Sequence, residues 1–230
     1  MNRSDPTTTL PRVLSFDLDD TLWAVGPVIA AAERELYEWM RRLYPEATRH
    51  HSIESMRELR AQVARRFPAQ LHDLTFLRRQ ALAWQFDAAG YADSAVDEAL
   101  EVFLSARNRV EFYPDVRPTL LRLRASHRLF ALSNGNADLE RCGIADLFEG
   151  HVTARSAGAA KPDARIFAKL LECAGVRAGE VLHVGDDPHA DVAGALRAGM
   201  QAAWINRDSQ PWPAHLGAPT RIVTTLTQLL

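Results

Sequence analysis

The stretch VLSFDLDDTLW, residues 13–23, decides how the rest of the chain is read. An apolar run ends abruptly in Asp17, Asp19 and Asp20, followed by Thr21. Valine, leucine and phenylalanine in a short run suit a buried strand. Carboxylates repel one another, and each loses hydration when buried. Three acids at the mouth of a buried strand therefore call for something that offsets their charge.

Working outward, residues 13–17 read as the first strand. Residues 27 to about 110 then read almost wholly helical. PVIAAAERELYEWMRRLYP opens with Pro27 in a first-turn position and stops at Pro45, with Ile29, Leu36, Met40 and Leu43 at helical spacing. SIESMRELRAQVARRF follows, with Ser52 and Ser55 as candidate caps, then DLTFLRRQALAWQF and SAVDEALEVFLSARNRV. From residue 115 the pattern alternates. DVRPTLLRLRASH predicts a helix capped by Asp115, RLFALS a strand, Asn136–Cys142 a short helix and His151–Thr153 a short strand. DARIFAKLLECAG predicts a helix between Asp163 and Gly175, VLHVG a strand, ADVAGALRAG a helix and QAAWI a strand, with a last short element over 221–230. Strands alternating with helices imply a parallel sheet. The expected fold is an α/β doubly wound, Rossmann-like core over residues 12–26 and 111–230, with a helical domain, 27–110, inserted after the first strand.

Composition bounds the setting. The chain has 230 residues and a formal net charge of −2, which gives no footing for nucleic acid or a basic membrane patch. Its two cysteines, Cys142 and Cys173, lie far apart without metal spacing and read as reduced cytosolic thiols. No apolar run approaches a membrane span. The opening MNRSDPTTTLPR lacks an apolar secretory core and reads as a frayed arm. A cytoplasmic monomer or homodimer is expected.

In open parallel sheets ligands bind beyond the carboxyl ends of the strands, and there the polar residues collect. Asp17 and Asp19 follow the first strand, Ser133 and Asn134 end the second, Lys161-Pro162 follows the third, and Asp186 and Asp187 end the fourth. Mg²⁺ takes oxygen ligands. Asp17 and Asp186 could supply two carboxylates, and a backbone carbonyl near Asp19 a third oxygen. With the charge screened, one carboxylate can attack phosphorus, and a second, two residues on, can carry the proton. Ser133, the backbone amides after it and Lys161 would hold the phosphate oxygens.

FDLDDT, LSNG, KPD and GDDPHAD, in this order, resemble the motifs of the haloacid dehalogenase-like hydrolases, and the helical insertion resembles their C1 cap. The resemblance implies Asp17 as nucleophile and Asp19 as general acid/base. It implies Thr21, Ser133, Asn134, Gly135 and Lys161 at the phosphate, Lys161 also steadying Asp17. Asp17, Asp19 and Asp186 would serve Mg²⁺, with Asp187 and Asp191 behind them. Dehalogenases of the superfamily lack an acid at the position of Asp19, so its presence favours a phosphatase. Phosphonate hydrolases use a cap lysine, and 27–110 contains none. FDLDDTLW, GPVI, AERE, SNGNA and VLHVGDDPHADVAGALRAGMQAAWI are similar to bacterial flavin mononucleotide phosphatases. That implies a small phosphorylated metabolite with a flat ring, such as flavin mononucleotide or 5-amino-6-(5-phospho-D-ribitylamino)uracil. Arg78 and Arg79, among cap aromatics, are candidate ring contacts, with helix packing or solvent as the plainer reading of each.

Plainer readings stand beside these. Ser133-Asn134-Gly135 also makes an ordinary turn, Lys161-Pro162 a helix start, and Asp187 and Asp191 helix caps. His183 reads as a satisfied core histidine and His189 as a solvent-facing one. A nucleotide or sugar phosphatase, or a binding protein on the same fold, is the alternative.

Overall fold

The computed structural model describes residues 10–230, so the arm expected over the first residues lies outside the described part. Val13–Phe16 (β1) is buried at every position. Arg128–Ser133 (β2), Gly150–Thr153 (β3), Val181–Gly185 (β4), Gln201–Ile205 (β5) and Arg221–Val223 (β6) complete one sheet. Its order is β3-β2-β1-β4-β5-β6, and all pairs are parallel. β1 and β4 run as near-continuous apolar strands because parallel strands are covered on both faces. The chain steps outward from β1 to β3, then returns to lay β4 on the free side of β1. The switch point of this topology is therefore the β1/β4 pair, and crevices open at the carboxyl ends of such pairs.

The helices are Val25–Leu43 (α1), Pro45–Thr48 (α2), Ile53–Arg66 (α3), Leu74–Ala88 (α4), Asp93–Arg107 (α5), Val116–Leu123 (α6), Ala154–Ala157 (α7), Ala164–Ala174 (α8) and Gly194–Arg197 (α9). By compactness the described chain falls into two units. One runs to Leu22 and takes in Phe112–Asn134 and Asp146–Leu230. The other is helical and joins Trp23–Glu111 to Gly135–Ala145. The second segment is an addition to the contiguous helical domain expected from sequence. Side chains tie it in: Arg107 Nε donates to Asn136 Oδ1 at 3.1 Å, and the Asp138 amide to Asn108 Oδ1 at 2.7 Å.

Within the helical unit, Ala32, Leu36 and Met40 of α1 meet Leu82 and Phe86 of α4 and Ala99 and Phe103 of α5 in one apolar cluster. The buried stripe on α1 follows an i, i+4 ladder. Leu43, expected on that face, is exposed, because the helix ends there and the ladder closes at Met40. α3 starts with a capping box, in which the Ser52 hydroxyl accepts the Ser55 amide and the Ser55 hydroxyl accepts the Ser52 amide. No helix among the described residues is long and apolar enough to cross a membrane.

Three local expectations are corrected. Asn136–Cys142 is a turn in place of a helix: the Asp138 carboxylate gathers the amides of Glu140 and Arg141, and Gly143 turns away at φ 74°. Asp115 does not cap α6 with its side chain; its carboxylate pairs with Arg207 and accepts the Leu226 amide. The helix expected over 190–199 begins earlier as a wide turn, Pro188–Ala193, and runs into α9.

α9 approaches α8 closely. A Cβ on Gly194 would lie 2.7 Å from the ring of Phe167 and 3.2 Å from Pro162. Phe167 is fully buried and has no room to swing. Gly194→Ala should therefore lower stability by about 1–3 kcal/mol, the usual cost of overpacking. A thermal melt reads this, and an unchanged Tm would show that the contact yields freely.

Candidate active site

At the end of β1 the Asp17 amide still donates to Val184 of β4, so Asp17 is held by the ladder itself at 2.9 Å. The chain then turns sharply. Leu18 is buried, Asp20 takes a left-handed φ of 58°, and the Leu22 amide returns to the Leu18 carbonyl at 2.7 Å. Aspartate tolerates that conformation better than most side chains, which gives the otherwise unassigned Asp20 a role in the turn. Asp19 sits half-buried beside it.

Lys161 is buried and stands at the centre. Its Nζ lies 2.5 Å from Asp17 Oδ1, 2.6 Å from Asp191 Oδ1 and 2.8 Å from the Leu132 carbonyl. Burial works against its charge, but the two carboxylates outweigh it and raise its pKa above that of an ordinary lysine. Asn134 holds the backbone of Lys161 at both ends: its carboxamide donates to the Lys161 carbonyl at 3.0 Å and accepts the Lys161 amide at 2.7 Å. Asn134 is thus engaged in positioning Lys161, in place of the expected phosphate contact. Ser133 is buried at the end of β2. Gly135 lies where the chain passes into the segment that packs with the helical unit.

Asp191 proves more central than sequence allowed. Its Oδ1 takes His183 Nε2 at 3.1 Å as well as Lys161, and its Oδ2 takes the Asp187 amide at 3.0 Å. Burial alone would raise its pKa, yet Lys161 and His183 hold it well below the carboxylate range. His183 is itself fully buried, and burial lowers its pKa. A neutral ring that donates from Nε2 must accept at Nδ1, where Ser15 Oγ lies at 2.8 Å. His183 is therefore the satisfied core histidine expected, with Asp191 as its charge partner. Gly185 makes the packing possible: a Cβ there would fall 2.2 Å from the Asp191 side chain. Asp187 acts as a helix cap, its Oδ1 accepting the amides of His189 and Ala190, and His189 is exposed.

Thr21, expected at the phosphate and the nucleophile, instead donates its hydroxyl to Asp186 Oδ1 at 3.0 Å. Arg78 and Arg79 are committed to the helical unit's own packing in place of ring contacts. Arg78 is buried 3.3 Å over the Phe103 ring, near Glu33, and Arg79 pairs with Asp93 and Asp97. Burial and the neighbouring Arg60 push the Arg78 pKa down to about 9. Sequence reading also missed Trp204, whose indole N–H donates to the Asp186 carbonyl at 2.7 Å. A tryptophan in an apolar strand carries no sequence signal beyond core packing.

Asp17, Asp186 and Asp191 bring carboxylate oxygens within 4.8 Å of one another. With Lys161 as the cation among them, full ionisation of all three would leave two negative charges unbalanced. Burial, with Asp191 and Asp186 as neighbours, raises the Asp17 pKa well above that of an ordinary carboxylate despite Lys161. Burial and Asp191 raise Asp186 to about 7. Asp191 is already saturated by its donors, so Asp17 and Asp186 are the two carboxylates that a hard divalent cation would satisfy. The Asp19 side chain lies outside this carboxylate cluster, in keeping with the backbone carbonyl expected there as the third oxygen.

Residues 11–199 match the model of the haloacid dehalogenase-like hydrolases, and the chain belongs to that family. It is 36% identical over 211 residues to the 5-amino-6-(5-phospho-D-ribitylamino)uracil phosphatase YigB of Escherichia coli, covering 88% of each. It is 30% identical over 234 residues to a phosphoglycolate phosphatase of Pseudomonas putida, covering 96% of this chain and 79% of that protein. A solved 2-haloacid dehalogenase from Pseudomonas syringae aligns with TM-score 0.90 at 37% identity, over 96% of each chain. Within the family the chain is a phosphatase.

The charge balance sets a pH signature. The folded-state pKa of Asp186 lies above its unfolded value of about 4, at about 7, so the folded state binds the extra proton between them. Metal-free protein should therefore lose stability as pH rises from about 4 through 7. Mg²⁺ should restore it, raising Tm more at pH 8 than at pH 5. Melts across that range, with EDTA and with Mg²⁺, test this; an equal shift at both pH values would contradict it.

Proposed function

We propose that the chain hydrolyses phosphate monoesters through an aspartyl-phosphate on Asp17, with Mg²⁺ held by Asp17 and Asp186. The observation that carries the reading is three carboxylates, Asp17, Asp186 and Asp191, gathered at the β1/β4 switch point beside one lysine fixed on Asp17. A divalent cation there would balance the ionised carboxylates and let a phosphate dianion approach. An Asp17 carboxylate oxygen then attacks phosphorus as the bond to the ester oxygen breaks. Asp19, two residues on, gives that oxygen its proton. Asp19 next takes a proton from water, whose attack on phosphorus breaks the acyl-phosphate bond and frees Asp17 and phosphate. Ser133 and the backbone amides after it hold the equatorial oxygens as charge spreads over them. Lys161, expected at the phosphate as well, gives its three donors to Asp17, Asp191 and the Leu132 carbonyl and steadies the nucleophile.

For the substrate, similarity to YigB supports a ring-bearing ribityl phosphate: 5-amino-6-(5-phospho-D-ribitylamino)uracil or flavin mononucleotide. Similarity over nearly the whole chain to a phosphoglycolate phosphatase supports a second reading, a short acidic phosphate. The two differ in what lies beyond the phosphoryl group. Binding energy from that remote part raises kcat/KM only for a substrate that has it.

Asp17→Asn should abolish phosphate release while a circular-dichroism melt shows a retained fold, because an amide does not form the acyl phosphate. Asp19→Asn should slow turnover of an alkyl phosphate about 10²–10⁴-fold, the usual scale for general acid–base catalysis. Wild-type turnover by Asp19→Asn would remove it from the proton path. On a panel of phosphorylated metabolites assayed with Mg²⁺, the two ribityl phosphates should exceed phosphoglycolate in kcat/KM. The opposite order would select the short acidic substrate and leave the chemistry in place.

A further inference from the structure

We propose that the end of β5, through Trp204 and Arg207, is a brace that positions Asp186 for cation binding. This rests on the reading of Asp186 as a metal ligand. Trp204 is paired in register with Gly185, the last residue of β4. The next carbonyl, that of Asp186, lies past the strand's end. The Trp204 indole crosses to it and donates at 2.7 Å. The side chain is buried, and an indole N–H is a donor only, so a buried one needs an acceptor. Trp212 packs edge-on against the indole with ring centroids 5.0 Å apart, which fixes its plane.

The carboxylate of Asp186 is held from the other side. Thr21 donates its hydroxyl to it at 3.0 Å, and Thr21 is in turn held by Arg207. The Arg207 guanidinium donates to the Thr21 carbonyl from Nε at 3.2 Å and from Nη2 at 3.0 Å. It also pairs with both oxygens of Asp115, and it lies 4.0 Å over the Tyr113 ring. Trp204 and Arg207, three residues apart, thus restrain both parts of Asp186. Trp204 orients the peptide. Arg207, through Thr21, orients the carboxylate. A cation that demands near-ideal octahedral geometry gains most from a ligand held this way.

Packing alone also explains a buried tryptophan, so the test must separate the N–H from the ring. Mg²⁺ is titrated calorimetrically into EDTA-stripped wild type and three variants. Trp204→Phe should raise the Mg²⁺ Kd about 10-fold or more, the scale seen when a partner behind a metal ligand is lost. Its kcat at saturating Mg²⁺ should stay near wild type. Arg207→Lys, which cannot span the same acceptors, should raise Kd as well. Trp212→Phe, which leaves the bond to Asp186 intact, should not. Should Trp204→Phe fail to fold, benzothienylalanine at position 204 keeps the ring's shape, replaces N–H by sulfur and should raise Kd alike. A lowered Tm with unchanged Kd in the Trp204 variants would overturn the brace and leave the ring as packing. Failure of wild type to bind Mg²⁺ would overturn the metal reading and the brace with it.

Discussion

Lys161 is the contact on which the rest of the site depends. Its ammonium is buried between Asp17 and Asp191, far from the dielectric screening of water. A buried ion pair of this kind is weak evidence of stability, because desolvation offsets the Coulomb gain. Removing one partner is another matter: an uncompensated buried charge costs about 3–5 kcal/mol. The surrounding structure fits that asymmetry. Asn134 pins the lysine backbone, Leu132 accepts its third donor, and His183, backed by Ser15, shares the charge of Asp191. The cluster is fully bonded on one side and short of positive charge on the other, where Asp17 and Asp186 meet.

That imbalance links fold to chemistry. The topology lays β1 beside β4 and so brings together two acids that are 169 positions apart in the chain. Burial and the neighbouring carboxylates raise the pKa of both, even with Lys161 on Asp17. A nucleophilic carboxylate must be ionised to attack. In the proposed mechanism a divalent ion would supply the positive charge that keeps both carboxylates ionised. Lys161 cannot do this alone, since its charge is spent on two partners.

The sequence carried the core legibly because strands end in polar residues at fixed places. Asp17 and Asp186 each follow an apolar strand, Ser133 ends one and Lys161 lies in the loop region after another, and parallel-sheet logic brings those strand ends to one edge. The sequence leaves more than one reading where one residue type serves several purposes. Asp187 and Asp191 sit four apart in one segment, and periodicity cannot tell a helix cap from a buried ion-pair partner. Thr21 and Asn134 were read as facing a ligand, whereas each reaches back to the protein, to Asp186 and to Lys161. Arg78 and Arg79 admit two readings for a different reason. An arginine beside aromatics suits a flat ligand, but the same chemistry suits the Phe103 face that Arg78 already covers.

The helical unit shows why substrate choice is harder to read than chemistry. Its charged side chains mostly satisfy one another: Glu33 is buried among Arg57, Arg60 and Arg78, and Arg79 spans Asp93 and Asp97. Such pairs hold helices in register, and they change with any repacking of the unit. The proposed phosphoryl chemistry, by contrast, needs particular atoms at particular strand ends. A relative named for a ribityl phosphate and another named for phosphoglycolate can therefore both be similar to this chain over most of its length. What must be kept for hydrolysis is a charge balance at the sheet edge. What selects a substrate is a surface with many acceptable packings.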